Sequence, residues 1–257
     1  MEEIKFIHRV SKGTRFNQIY LPKSMQDLFE VGDIVEVKLI EKKSKLYFSK
    51  NLNLSGFKEK LAGEILGFLS QFRGIEQSFI FGSFLSSSEY ADIDILIITD
   101  KNLEKEIYGL LTEKYGMKFH IILIPKLRFD FLSLSCPLTR SMLSSFVSDK
   151  EFKLPKQTIL DKSHIQFLLM MPKDILSVQV SSKVLYDNLR RLIAIEEFLE
   201  DKEITAEKIS KEIIRILGEE TYLAIKAGEI LKKEKLEKIR KLFKLKIRNI
   251  EAKLGKK

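Results

Sequence analysis

Hydrophobic positions change their spacing twice along the chain. Up to about residue 50 they alternate or cluster in short runs: residues 4–10, 16–21 and 34–40, the last reading I-V-E-V-K-L-I, carry the period of β-strands. Pro22 opens the segment PKSMQDLFE, which predicts a short helix stopped before the turn pair Gly32-Asp33. Residues 46–48 predict a further strand after the polar EKKSK turn. From about residue 52 the spacing becomes helical, with Phe57, Leu61, Ile65, Leu66 and Leu69 in register, and then strand and helix alternate. Residues 78–81 predict an apolar strand that ends at Gly82-Ser83. Residues 92–99 predict a second, whose dense Ile and Leu content implies burial on both faces. Asn102 is placed to cap a helix over LEKEIYGLLTEKY, stopped by Gly116, and residues 117–124 predict a third strand ended by Pro125.

Three prolines and several serines make residues 126–172 read as irregular, with one short helix over 139–146. Helical spacing returns from Val184, over 186–199, 205–217 and, with breaks, 219 to about 254. Thr205 makes a capped start for the second of these, and Ile209, Ile213, Ile216 and Leu217 give it a buried face. The whole pattern predicts an α+β fold: a small β module over 1–50, an α/β core with a mixed sheet over 51–180, and a helical region over 181–257.

Composition narrows the class. A hydrophobic fraction of 44% and a charged fraction of 32% fit a globular protein and exclude a disordered one. The longest apolar runs, such as 95–98 and 167–171, fall far below the roughly 20 residues that span a bilayer. The N-terminal MEEIKFIHRV has no apolar core of a signal peptide, and the lone Cys136 excludes an internal disulfide framework. A soluble, cytoplasmic protein without membrane contact is the expectation. Cys136, beside Pro137, reads as a small buried or loop residue rather than a nucleophile. The net charge of +9 arises wholly at the end: residues 226–257 hold 13 Lys and Arg against 4 Glu, while residues 1–225 sum to zero. Such a tail either attracts nucleic acid or another polyanion, or is a solvated helix face.

Candidate chemistry concentrates in residues 79–99, FIFGSFLSSSEYADIDILIIT. Gly82 permits a tight turn and a close approach of main chain to phosphate. Ser83 can donate a hydroxyl and an N–H to phosphate oxygens at the start of a helix. Asp92 and Asp94, two apart at the head of a strand, project from one face, and their repulsion asks for a cation. A hard ion such as Mg²⁺ meets that demand while gripping substrate phosphates. An ordinary strand opening with solvated acids would share the Asp pair, but not its combination with Gly-Ser and the preceding strand.

At these residues the chain, over roughly 52–124, resembles the nucleotidyltransferase superfamily that includes polymerase β and the minimal nucleotidyltransferases. The resemblance implies that Gly82 and Ser83 hold a nucleoside triphosphate and that Asp92 and Asp94 bind Mg²⁺. It further implies transfer of a nucleoside monophosphate to a hydroxyl or similar acceptor, with release of pyrophosphate. Family members carry a third acidic residue on the next strand, where it helps bind metal and deprotonate the acceptor. Here that strand reads MKFHIILIP, with His120 in that place and no carboxylate. His120 then serves as base or ligand, or is a surface or packed histidine. Asp130, just beyond, is the other candidate for the missing acid. The alternative reading is a DNA-binding transcriptional regulator or antitoxin-like protein whose core binds nucleotide but is catalytically impaired.

The segment RVSKGTRFNQIYLPKSMQDLFEVGDIVEVKLI resembles the swapped-hairpin DNA-binding domains of AbrB type. That family interleaves hairpins from two chains, which implies a homodimer, and contacts DNA through basic residues near the first hairpin. The corresponding residues are Lys5, Arg9, Lys12 and Arg15; the other reading is a dimerisation device with solvated charges. Arg190 and Arg191, with Tyr186 and Asp187, either line a nucleotide cleft or are helix-surface charges, and Arg140 is a candidate to reach a triphosphate. His8 and His164 have no partner at metal-ligand spacing, and no zinc pattern, P-loop or GxGxxG occurs.

Overall fold

A computed structural model describes residues 6–37, 45–50 and 52–256; Lys5 and the ends of the strands predicted over 4–10 and 34–40 lie outside the described residues. The chain divides into two compact units, Met1–Ile40 and Glu41–Lys257. In the first, β1 (Ser11–Lys12) pairs antiparallel with β2 (Asn17–Gln18), and the Gly13 N–H closes the turn on the Phe16 carbonyl at 2.9 Å. Pro22 leads into a 3-10 helix, Lys23–Leu28. Residues 6–10 and 34–37 join no ladder, although their alternation predicts strands. The physical reason is visible in their surroundings. No described residue of this unit is buried, so its apolar alternation has no covering layer to reward pairing.

The second unit is built on a five-stranded sheet in the order β3 (Tyr47–Phe48), β7 (Val147–Ser148), β4 (Ile75–Phe81), β5 (Ile93–Thr99), β6 (Phe119–Ile124). β4 runs antiparallel to both β7 and β5, whereas β5 and β6 are parallel, so the sheet is mixed. Between the strands come α1 (Gly56–Leu69), α2 (Ser83–Ser86), α3 (Glu104–Tyr115), α4 (Lys126–Ser135) and α5 (Pro137–Met142). Helix outweighs strand, 52% to 12%, and the fold is α+β.

β5 is buried on both faces, as its composition predicts. Ile93, Ile95 and Ile97 pack with Leu61, Ile65 and Leu69 of α1 and with Ile107 and Leu111 of α3. Leu96 and Ile98 face the other layer, where Phe79, Phe129, Phe146 and Phe152 meet ring to ring at 5.3–5.7 Å between centroids. The Asn102 cap does not form: Leu103 takes the cap position of α3 without a side-chain bond. Gly116 does end that helix in the left-handed region, at φ 63°.

Residues 126–172 correct the sequence reading most. They hold α4, α5, β7 and α6 (Lys162–Asp174) rather than one helix in irregular chain. Proline does not break these helices: Pro155 lies between elements, and the others sit at helix ends. Pro125 occupies the cap position of α4, Pro137 is the first residue of α5, and Pro172 falls in the last turn of α6.

The helices α7 (Ser182–Leu199), α8 (Ala206–Leu217), α9 (Glu219–Ala227) and α10 (Lys233–Lys256) complete a bundle with α6. α7 is its axis, burying Leu185, Leu189, Leu192, Ile195 and Phe198. Thr205 caps α8 by accepting the Lys208 N–H at 3.2 Å, and Ile209 and Ile213 form the buried face that its spacing predicts. Among the described residues, no helix is long and apolar enough to cross a membrane.

Candidate functional site

Two strand registers bring the candidate site together. In the β4–β5 pair Phe81 lies opposite Asp94, so the chain leaving β4 passes Gly82 directly across the Asp94 carboxylate. A Cβ on Gly82 would sit 2.0 Å from Asp94 Oδ2, and φ at this residue is +81°. Close approach and backbone conformation therefore both demand glycine. In the parallel β5–β6 pair His120 lies opposite Asp94, and its Nδ1 is 3.0 Å from Oδ1. With Asp94 ionised only the imidazole can donate, which leaves Nε2 free of that bond. The His120 side chain is 61% exposed and that of Asp94 21%, so the carboxylate lies at the base of the site and the imidazole at its rim.

Asp92 stands just before the first residue of β5 and is half-buried. Burial raises the Asp94 carboxyl above its ordinary value; the His120 hydrogen bond opposes the rise and the Asp92 charge adds to it. The two aspartates therefore feel each other. Ser83 is exposed at the start of α2, but that helix is one turn of four residues, too short to carry a helix dipole. The anchoring contribution left to this turn is its main chain and the Ser83 hydroxyl.

Lys58 of α1 fixes the loop joining Ser83 to Asp92. Its Nζ donates to the Ser87 carbonyl at 2.6 Å and lies 5.4 Å from the ring centroids of both Phe84 and Tyr90. Those rings meet edge to face at 5.1 Å. Sequence reasoning passes over Lys58, because its partners lie some thirty residues away, Ser87 at a separation of 29, and no local pattern marks them.

The donor set suits a hard divalent cation shared with a ligand. Asp92 and Asp94 could supply carboxylate oxygens, and Mg²⁺ is commonly held by one or two carboxylates plus substrate phosphates. No group of three or more His, Cys, Asp and Glu converges as a metal cage among the described residues. Asp130 does not supply the missing acid. It forms an i,i+4 pair with Lys126 at 2.7 Å on α4, which starts after the far end of β6, about 13 Å along the strand from His120.

The other candidates lie elsewhere. Arg140 donates to the carbonyls of Ser133 and Pro155 at 2.7 and 2.9 Å, tying α4 to the following segment rather than reaching for a ligand. Arg190 and Arg191 are half-buried in the bundle; Arg190 lies 5.6 Å from the Tyr186 ring, and burial lowers the Arg191 guanidinium from its ordinary value. In the first unit Arg9, Lys12 and Arg15 are exposed, with Lys12 in β1 and Arg15 in the turn that follows. No protein-family model matches this chain, and a comparison with curated proteins gives no match.

Proposed function

We propose that the second unit is a Mg²⁺-dependent nucleotidyltransferase that moves a nucleoside monophosphate from a nucleoside triphosphate to an acceptor. The observation that carries this reading is the meeting of the Gly82 main chain, the Asp94 carboxylate and the His120 imidazole across three adjacent strands, with Asp92 alongside. Gly82 and Ser83 line the triphosphate, and Asp92 and Asp94 hold the cation. Bound Mg²⁺ would neutralise charge on the transferred phosphoryl group. His120, oriented through Nδ1 by Asp94, keeps Nε2 to take the acceptor's proton. Positioning of this kind, with a group ready to receive the proton, is most of what phosphoryl-type transfer asks of a protein.

The test is incubation with labelled nucleoside triphosphates and Mg²⁺. The wild type should bind and transfer label, Asp92→Ala/Asp94→Ala should do neither, and His120→Ala should bind without transfer. A wild type that binds tightly but yields no product would favour the second reading, a nucleotide-binding regulator. One observation leans that way: His120 occupies the strand position where a third carboxylate is expected. Absence of binding as well as transfer would sink both.

For the first unit we propose self-association of two chains and DNA contact through Lys5, Arg9, Lys12 and Arg15. Support comes from its unsatisfied apolar surface: Phe16 is 76% exposed and Val31 and Ile34 fully so, in a unit with nothing buried among its described residues. Light scattering of the full chain should give a dimer that Phe16→Ser/Ile34→Ser converts to monomer; a monomeric wild type would overturn this. A cytoplasmic location fits the single, unpaired Cys136.

A further inference from the structure

α10 carries two populations of basic residues, and its own periodicity separates them. On the side facing the bundle, Lys235 pairs with Glu220 of α9, Lys246 with Glu196 of α7, and Lys253 with Glu200 at the end of α7. On the outward side Lys241, Lys244 and Arg248 are exposed, and none has an ion-pair partner among the described residues. Arg240, beside them, gives an N–H to the Val178 carbonyl at 3.0 Å, a neutral partner that leaves its charge uncompensated. Glu234 lies four residues before Lys238 and Glu237 four before Lys241, so these two acids offset two of the five outward cations, and the excess of three lies between Arg240 and Arg248.

Helix stability does not account for that run. Arg240/Lys244 and Lys244/Arg248 are like-charged pairs at i,i+4, and Lys241/Lys244 is one at i,i+3; all of them repel. A solvated face built for stability interleaves signs, as α8 does with Glu207 and Lys211 at 2.6 Å. The field is also local, because residues 1–225 carry no net charge.

The shape of the row narrows the partner. Eight residues of helix span about 12 Å, the rise of three to four phosphates at about 3.4 Å each along one strand. A membrane-binding helix would place large apolar residues among its cations, and Leu245 is the one exposed large apolar side chain among the described residues of α10. We propose that the outward face of α10, through Arg240, Lys241, Lys244 and Arg248, binds the phosphodiester backbone of a nucleic acid. This assignment stands whether or not the sheet transfers nucleotides.

The experiment uses the full chain without nucleoside triphosphate or Mg²⁺. Fluorescence anisotropy follows binding to a fluorescein-labelled random-sequence duplex of about two helical turns, and to the single strand of equal length, over a range of KCl concentrations. Lys241→Gln/Lys244→Gln/Arg248→Gln should weaken binding about tenfold or more at low salt and flatten the slope of log K against log salt by about 3. Lys60→Gln/Lys105→Gln/Lys156→Gln removes the same charge from exposed positions elsewhere and should change little. Lys12→Gln/Arg15→Gln separates the first unit's contribution, and adding the α10 triple to it should weaken binding further. Preference for duplex or single strand identifies the form bound, and either supports the assignment. Equal losses from the two triples, or an α10 triple that binds like wild type, would overturn it. The α10 triple should melt no lower than wild type, since it removes repulsion.

Discussion

The second unit treats carboxylates in two opposite ways. In the bundle, Glu196 meets Lys246 between α7 and α10 with both side chains largely buried, and Glu200 sits between Lys202 and Lys253, which hold its carboxyl down to about 2. At the head of β5, Asp94 is set beside a second acid instead, and burial pushes its carboxyl up with His120 alone opposing. One chain thus pairs these bundle carboxylates with lysines and leaves two like charges at the head of β5. Groups arranged for stability find partners within the protein; a carboxylate raised by burial beside a second acid is a candidate for completion from outside. The contrast separates scaffold from site more clearly than exposure does, because Asp94 and Glu196 are similarly covered, at 21% and 15%.

Breaking the bundle's pairing gives the largest expected effect. Glu196→Ala leaves Lys246 buried without its partner and should cost about 2–4 kcal/mol in urea unfolding. Glu196→Met/Lys246→Met should recover most of that loss, since a buried pair replaced whole by apolar side chains is often close to neutral. Gly82→Ala comes next. A methyl 2.0 Å from Asp94 Oδ2 on a residue at φ +81° should cost about 1–3 kcal/mol and abolish Mg²⁺-dependent nucleotide binding, read by calorimetry. Lys58→Met keeps the aliphatic stem but frees the loop carrying Asp92. Nucleotide affinity should fall about fivefold and the melting temperature by roughly 2–4 °C.

Asp94→Asn should act in the reverse sense. Its carboxyl is raised in the folded state, so its ionisation stabilises the unfolded chain relative to the folded one as pH climbs past the unfolded value. Removing it should raise the melting temperature at neutral pH by about 1–3 °C in metal-free buffer while nucleotide binding is lost. A lower melting temperature would mean that Asp94 is scaffold. Glu200 supplies the smallest effect, because it is well exposed to solvent. Its carboxyl is depressed to about 2 from an ordinary 4.5, so its contribution is complete above that ordinary value and drains away as pH falls toward 2. Lys202→Gln/Lys253→Gln should flatten that part of the acid unfolding curve.

Local patterns made the centre of the fold legible. The three strands of the candidate site and the Gly82-Ser83 and Asp92/Asp94 motifs show in the sequence, because burial and chemistry there follow from neighbouring residues. His120 was legible as a position, since a third strand after Gly116 brings it level with the acids. Its contact with Asp94 depends on a parallel register between strands 26 residues apart, which no local pattern encodes. Residues 126–172 hide their helices because proline marks a helix end as readily as an interruption: of the three prolines there, Pro137 opens α5, Pro172 falls in the last turn of α6, and Pro155 alone lies between elements. The strands predicted over 4–10 and 34–40 do not form in their described parts, 6–10 and 34–37, for another reason: period-two alternation describes a face awaiting cover, and nothing within the described residues of that unit covers it.

The contact between Gly82 and Asp94 also has an evolutionary corollary. While the aspartate is kept in this place, a side chain at position 82 would have to displace its carboxylate. Once a descendant replaces Asp94 with a small apolar residue, that clash disappears, and only the positive φ still disfavours a side chain there. Positions 82 and 94 should therefore decay in order, the acid first and the glycine after. A relative retaining glycine without the acid would be an early loss of the site, and one lacking both an old one.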